Sequence, residues 1–159
     1  MKRRVFHIIS WGLVLAAAGI CVVCLQIHDT EKAALAVSPY ESNDLQLMAR
    51  AVNGEARGEP YEGQVAVAAV ILNRVKHPSF PNSIAGVIYQ PGAFTAVTDG
   101  QINVPIDPDS TVYKACQDAM NGWDPTGGAI YYYNPATATN QWIFSRQVVK
   151  TIGRHRFAV

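Results

Sequence analysis

Cysteine is scarce in this chain: there are three in 159 residues, and Cys21 and Cys24 both fall within an apolar stretch near the N-terminus. That leaves Cys116 as the only thiol of the remainder, so no internal disulfide can staple it and the fold must rest on its core. Charge is also sparse, at 16% of residues. From Val37 onward nine Lys or Arg face ten Asp or Glu, a net charge of −1, which gives no electrostatic footprint for nucleic acid. A neutral polymer or a small uncharged group suits such a surface better. Of four histidines, His7 and His28 precede the main body, and the other two, His77 and His155, belong to no His-x-x-x-His pair. Neither a metal site nor any cofactor is expected. Repeats and low-complexity tracts are lacking too.

What is present begins with Lys2, Arg3 and Arg4, followed from Ile8 to Leu25 by eighteen residues without a charge. This pattern reads as an export signal or a single membrane helix, and either places the rest outside the cytoplasm. Ala34, Leu35 and Ala36 supply a small-x-small cleavage pattern, so removal and retention of the leader stay open. The expected organisation is a signal peptide or membrane anchor over 1–28, a polar tether over 29–43 containing Pro39, and one compact domain over 44–159.

Within that domain the spacing of Leu45, Met48 and Val52 predicts an amphipathic helix capped by Asn43 or Asp44, with Glu55 continuing its apolar stripe. Gly54, Gly58 and Pro60 break it. Pro60 opens a second helix through about Arg74, whose run from Val65 to Val70 suits a tightly packed central element. Glu59 and Glu62 flank its start, where the helix dipole favours acids. Ser83 caps a short helix through about Tyr89, and residues 94–104 alternate around Asp99-Gly100 as a hairpin. A helix from Ser110 to Asn121 turns Val112, Ala115, Cys116 and Ala119 inward. Ala129 to Tyr133 reads as a strand, and Val148 to Ile152 with His155 to Val159 flank Gly153-Arg154 as a second hairpin. Helices first and strands later indicate an α+β fold.

A carboxylate on the apolar stripe of a helix loses part of its hydration, which raises its pKa and lets it hold a proton for a poor leaving group such as a sugar oxygen. Glu55 is that residue; the alternative is an ion pair with Arg57 or Arg50 at a helix end. Asp99 is the candidate for a second acid, although Asp-Gly is explained by a turn alone. Thr95 and Thr98 can bring hydroxyls beside a cleft. Sugar sites combine aromatic faces with amide or hydroxyl groups, which directs attention to Tyr131, Tyr133 and Asn134, with Phe94, Trp142 and Trp123 as further stacking surfaces. Strand alternation puts Tyr132 opposite Tyr131 and Tyr133, so only one set lines a cleft. A Cys116–His155 thiol nucleophile is a formal alternative, yet nothing marks Cys116 as activated.

The run from Ala51 to Val75, with Glu55-Ala56-Arg57-Gly58-Glu59 at its heart, resembles the SleB/CwlJ family of spore cortex-lytic and cell-wall hydrolases. The resemblance continues through His77 to Pro81, Phe94 to Gly100, Tyr132 to Pro135 and Ile152 to Phe157. It implies a small lysozyme-like α+β catalytic domain, peptidoglycan glycan strands as substrate, and Glu55 as the catalytic residue. It further implies a lytic transglycosylase, in which one glutamate protonates the glycosidic oxygen and then serves as base for the 6-hydroxyl of muramic acid, giving a 1,6-anhydro end. The expected substrate-binding residues are Phe94, Thr95, Thr98, Asp99, Tyr131, Tyr133, Asn134, Trp142 and His155. A hydrolytic muramidase or glucosaminidase and a noncatalytic wall-binding module are the alternatives. Expected partners are the glycan strands, the membrane if the leader is kept, and a recruiting protein.

Overall fold

The computed structural model describes residues 42–159. The expected leader and nearly all of the tether lie outside them, as do His7, His28, Cys21 and Cys24. Helix α1 spans Ser42–Ala56, beginning just before the caps expected at Asn43 or Asp44. Its Met48, Ala49, Val52 and Ala56 are buried. Helix α2 spans Tyr61–Lys76 directly after Pro60, whose φ of −53° suits the position before a first turn. Every residue from Gly63 to Leu72 is buried, the signature of a helix enclosed on all sides. Helix α3, Ile84–Ile88, is capped by the Ser83 hydroxyl accepting from the Gly86 N–H.

Helix α4, Thr95–Thr98, and a 3₁₀ turn at Gln101–Asn103 occupy the stretch where the sequence predicts a hairpin. The cause lies partly nearby: Asp99 accepts from both the backbone and the side-chain amide of Gln101, and Gly100 takes a left-handed φ of 83°. The rest is distant. Phe94 offers α4 no side-chain cap, and the free N–H of Thr95 is taken by Glu55, forty residues earlier. A helix end satisfied by another element leaves no local trace in the sequence.

Helix α5, Thr111–Met120, is capped by Ser110 and buries Val112, Ala115, Cys116 and Ala119. Strands β1 (Tyr131–Tyr133), β2 (Val148–Ile152) and β3 (His155–Ala158) form an antiparallel sheet in the order β1-β3-β2. Tyr132 pairs with Phe157 across β1 and β3. A 3₁₀ segment, Gln141–Ser145, joins β1 to β2. The result is an α+β domain, with one core of α1, α2, α5 and the inner face of the sheet around Phe157. Among the described residues no helix is long and apolar enough to cross a membrane.

Glu59 does more than meet a helix dipole. Its buried carboxylate pairs with Arg154 Nε at 2.7 Å and accepts from the Arg154 backbone N–H at 2.9 Å, fastening the β2–β3 turn to the start of α2.

Candidate active site

Glu55 sits half-buried in the last turn of α1. Its Oε1 accepts from the Thr95 backbone N–H at 2.8 Å and from the Thr95 hydroxyl at 2.5 Å. Gly54 permits that approach, because a Cβ there would lie 2.6 Å from the Cβ of Ala96. The neighbouring arginines are engaged elsewhere: Arg57 donates to the Gln101 side chain and Arg50 to the Ile102 carbonyl. Among the described residues the ion pair belongs to Glu59 and Arg154, so Glu55 is not a helix-end pairing partner.

Tyr132 comes up against Glu55 from β1. Its phenol is pushed well above the ordinary tyrosine range, first by burial and then by the charge of Glu55, with Arg74 pulling the other way. Arg74, buried in the last turn of α2, donates from Nε to the Ile130 carbonyl at 2.8 Å. Burial lowers its pKa, opposed by Tyr132, Tyr131 and Glu55. His155 is buried, stands edge-on to Tyr132 at 5.4 Å, and has an Nδ1 without a hydrogen-bond partner. Burial holds its imidazole below the ordinary histidine value, with Glu59 and Glu55 pulling the other way.

Beside these residues lies an open groove of about 300 Å³ lined by Arg74, Phe80, Pro91, Tyr131, Tyr132 and Trp142 among others, none of them acidic. Tyr131 and the exposed Trp142 meet edge to face at 5.1 Å, presenting aromatic surface of the kind that sugar rings stack upon.

The remaining expected site residues are placed as follows. Tyr133 is buried against Phe144, while Tyr132, expected on the opposite side from the site tyrosines, is the one that meets Glu55. Tyr131 and Tyr133 meet Trp142 and Phe144 of the 3₁₀ segment, yet Tyr131 and Tyr132 both line the groove, which corrects the expectation that only one set of the tyrosines reaches a cleft. Phe94 is only 2% exposed and packs beside Arg74, so it offers no stacking face. Thr98 donates its hydroxyl to the Thr95 carbonyl, Asp99 holds the turn at Gln101, and Asn134 accepts from the Ala136 N–H. Trp123 pairs with Tyr61 instead. Burial also pushes the Cys116 thiol far up, away from nucleophile chemistry. No cluster of metal-ligating side chains occurs among the described residues.

Sequence reasoning passed over Arg74 and Tyr132. Arg74 had a signal: it falls four residues after Val70 and three after Ile71, on a helix with no polar face to receive it.

Residues 58–158 match the family model described as Cell Wall Hydrolase. The chain belongs to that family. Glu55 lies three residues before the matched stretch. The spore cortex-lytic enzyme of Bacillus cereus is 64% identical over 118 residues, covering 74% of this chain and 45% of that protein. The spore cortex-lytic enzyme of Halalkalibacterium halodurans is 61% identical, covering 80% and 38%. The chain thus spans less than half the length of these curated relatives. The cell wall hydrolase CwlJ of Bacillus subtilis is 30% identical, covering 77% of this chain and 89% of that protein. Among solved structures, the catalytic domain of Bacillus cereus SleB matches with a TM-score of 0.72 at 62% identity, covering 76% of this chain and 92% of that one. The catalytic domain of the germination-specific lytic transglycosylase SleB from Bacillus anthracis matches at 0.73 and 60% identity, covering 76% and 98%.

Proposed function

We propose that this cell wall hydrolase cleaves peptidoglycan glycan strands as a lytic transglycosylase, with Glu55 as acid and then base. The observation that carries this reading is the Glu55 carboxylate, fixed by two donors of Thr95 and approached by Tyr132, which itself lines a groove that no acid lines. Hydrolysis with retention or inversion uses two carboxylates about 5–9.5 Å apart. With Oε1 tied to Thr95, Oε2 is the oxygen that carries the transferable proton. That proton goes to the glycosidic oxygen as the bond to C1 breaks. Glu55, now a carboxylate, takes the proton of the muramoyl 6-hydroxyl as its oxygen bonds to C1. No water is consumed, and the new end is a 1,6-anhydro ring.

A helical body carrying its acid at a helix end against a small sheet supports the lysozyme-like reading of the fold. The relatives' names support spore cortex as the substrate and germination as the setting. The basic cluster and uncharged run at the N-terminus support export, with the protein held at the membrane or associated with the wall and a recruiting protein as a further partner. The domain boundary near residue 44 belongs to the same reading.

The test is mass spectrometry of fragments released from purified peptidoglycan. Anhydro ends from the native protein, and none from Glu55→Gln at unchanged melting temperature, are expected. Reducing ends that have gained water would overturn transglycosylation, and equal behaviour of both proteins would indicate a wall-binding module.

A further inference from the structure

Basic residues in a last helical turn ordinarily lie on the surface, where they complement the helix dipole. Arg74 is instead 8% exposed, with its guanidinium carbon 5.3 Å from the Phe80 ring centre and 5.7 Å from that of Phe94. Among the described residues it makes no ion pair, and its one hydrogen bond runs from Nε to Ile130. Glu55 is near enough to favour its charged form but forms no ion pair with it, so the charge of this buried cation is incompletely met within the protein, and a guanidinium has five N–H donors in a planar fork. This one forms part of the groove wall, alongside the aromatic faces of Tyr131 and Trp142 and next to Tyr132, which reaches Glu55.

We propose that this groove is the subsite for the lactyl arm of the muramoyl residue at the cleaved bond, read by Arg74 donating to the arm's acyl oxygens. The inference rests on peptidoglycan being the substrate. The two sugars of the strand share the 6-hydroxyl and the N-acetyl group and differ at C3, where N-acetylglucosamine has a hydroxyl and muramic acid the lactyl ether. The lactyl arm is what distinguishes muramic acid, and it is the ring substituent that carries an ionisable acyl group. A guanidinium fork pairs with a carboxylate through two parallel hydrogen bonds and donates equally well to the carbonyl of an arm joined to a peptide. The arrangement makes Arg74 a substrate-binding residue that selects the sugar and sets the register of the strand against Glu55.

Equilibrium binding of N-acetylmuramic acid and N-acetylglucosamine to the full chain tests this without relying on cleavage. The native protein should bind the muramic sugar roughly 10- to 100-fold more tightly, as expected for hydrogen bonds to a charged group. Arg74→Gln should erase that preference and raise KM on glycan strands by a similar factor, with kcat changed only a few-fold. Arg74→Lys, which keeps the charge but not the fork, should fall between. Strands stripped of peptide by an amidase carry the free carboxylate, whereas peptide-bearing strands present a carbonyl. A larger KM effect on stripped strands assigns the carboxylate, and an equal effect assigns the carbonyl. Equal binding of the two sugars by the native protein overturns the proposal, as does an Arg74→Gln protein that loses kcat alone. Should Arg74→Gln fail to fold, the native preference and Arg74→Lys decide. Lactyl preference in a protein that releases nothing from peptidoglycan would refute the proposed activity while leaving this subsite standing.

Discussion

At the scale of single residues, the hydroxyl of Thr95 is the sharpest probe of how Glu55 is held. Thr95 presents two donors to one oxygen, its backbone N–H and its hydroxyl, and substitution removes only the second. Thr95→Val should leave α4 in place and free the carboxylate to rotate, lowering kcat on peptidoglycan roughly tenfold, equivalent to about 1.4 kcal/mol of barrier. Thr95→Ser should recover most of that loss. An unchanged rate of turbidity loss for Thr95→Val would mean that the backbone N–H and Tyr132 orient Glu55 without the hydroxyl.

The elements carry different consequences, because two contacts between them are set by glycine and by one buried acid. A methyl group at Gly54 would collide with Ala96, so Gly54→Ala must separate α1 from α4. Overpacking of this kind costs about 1–3 kcal/mol, and here it also withdraws Thr95 from Glu55; melting temperature and turnover should fall together. Glu59 acts at the other junction. Burial raises its pKa, but the Arg154 N–H and guanidinium, with His155 nearby, outweigh that and bring it below the ordinary 4.5. A carboxylate with a depressed folded value contributes stability above its unfolded pKa and loses it as pH falls through the folded one. Glu59→Gln should therefore be less stable at neutral pH by about 2 kcal/mol, with the gap to the native protein closing below about pH 4.5. A constant difference from pH 7 to pH 3 in denaturant titrations would remove this ion pair from the account. His155, shifted down by burial, destabilises in an earlier window that opens below 6.5, and loss of the Glu59 charge that pulls it up makes this window deeper in Glu59→Gln. These junctions also explain what the sequence could and could not convey. The helices α1, α2, α3 and α5 and the β2–β3 hairpin were legible because their caps, apolar stripes and turn residues are local. Helix α4 was not, since its N-terminal donor is satisfied by Glu55. The placement of Tyr132 was not, since nothing within β1 says which of its faces meets α1. Glu55 itself was marked by its position on an apolar stripe, and its partners only by the fold.

Across the whole molecule, stability rests on a single core without a cross-link among the described residues, and Cys116 reports on it. The thiol is wholly buried on α5, within the core that α5 shares with α1 and α2. Alkylation followed by mapping of the Cys116 peptide should be at least roughly 100-fold slower in the native protein than in denaturant, because access requires global opening. Rapid labelling under native conditions would show that α5 detaches by itself.

The strand order β1-β3-β2 places in the middle of the sheet the strand that comes after both its neighbours in the chain. A chain delivered from its N-terminus, by a ribosome or through a translocation pore, presents all its helices before that strand arrives. Arg154 likewise reaches Glu59 across 95 residues of sequence. The wall of the groove bearing Tyr131 and Tyr132 therefore sets only once β3, the last of the described elements, has emerged, and on the reading proposed above no glycan strand can be gripped there before then.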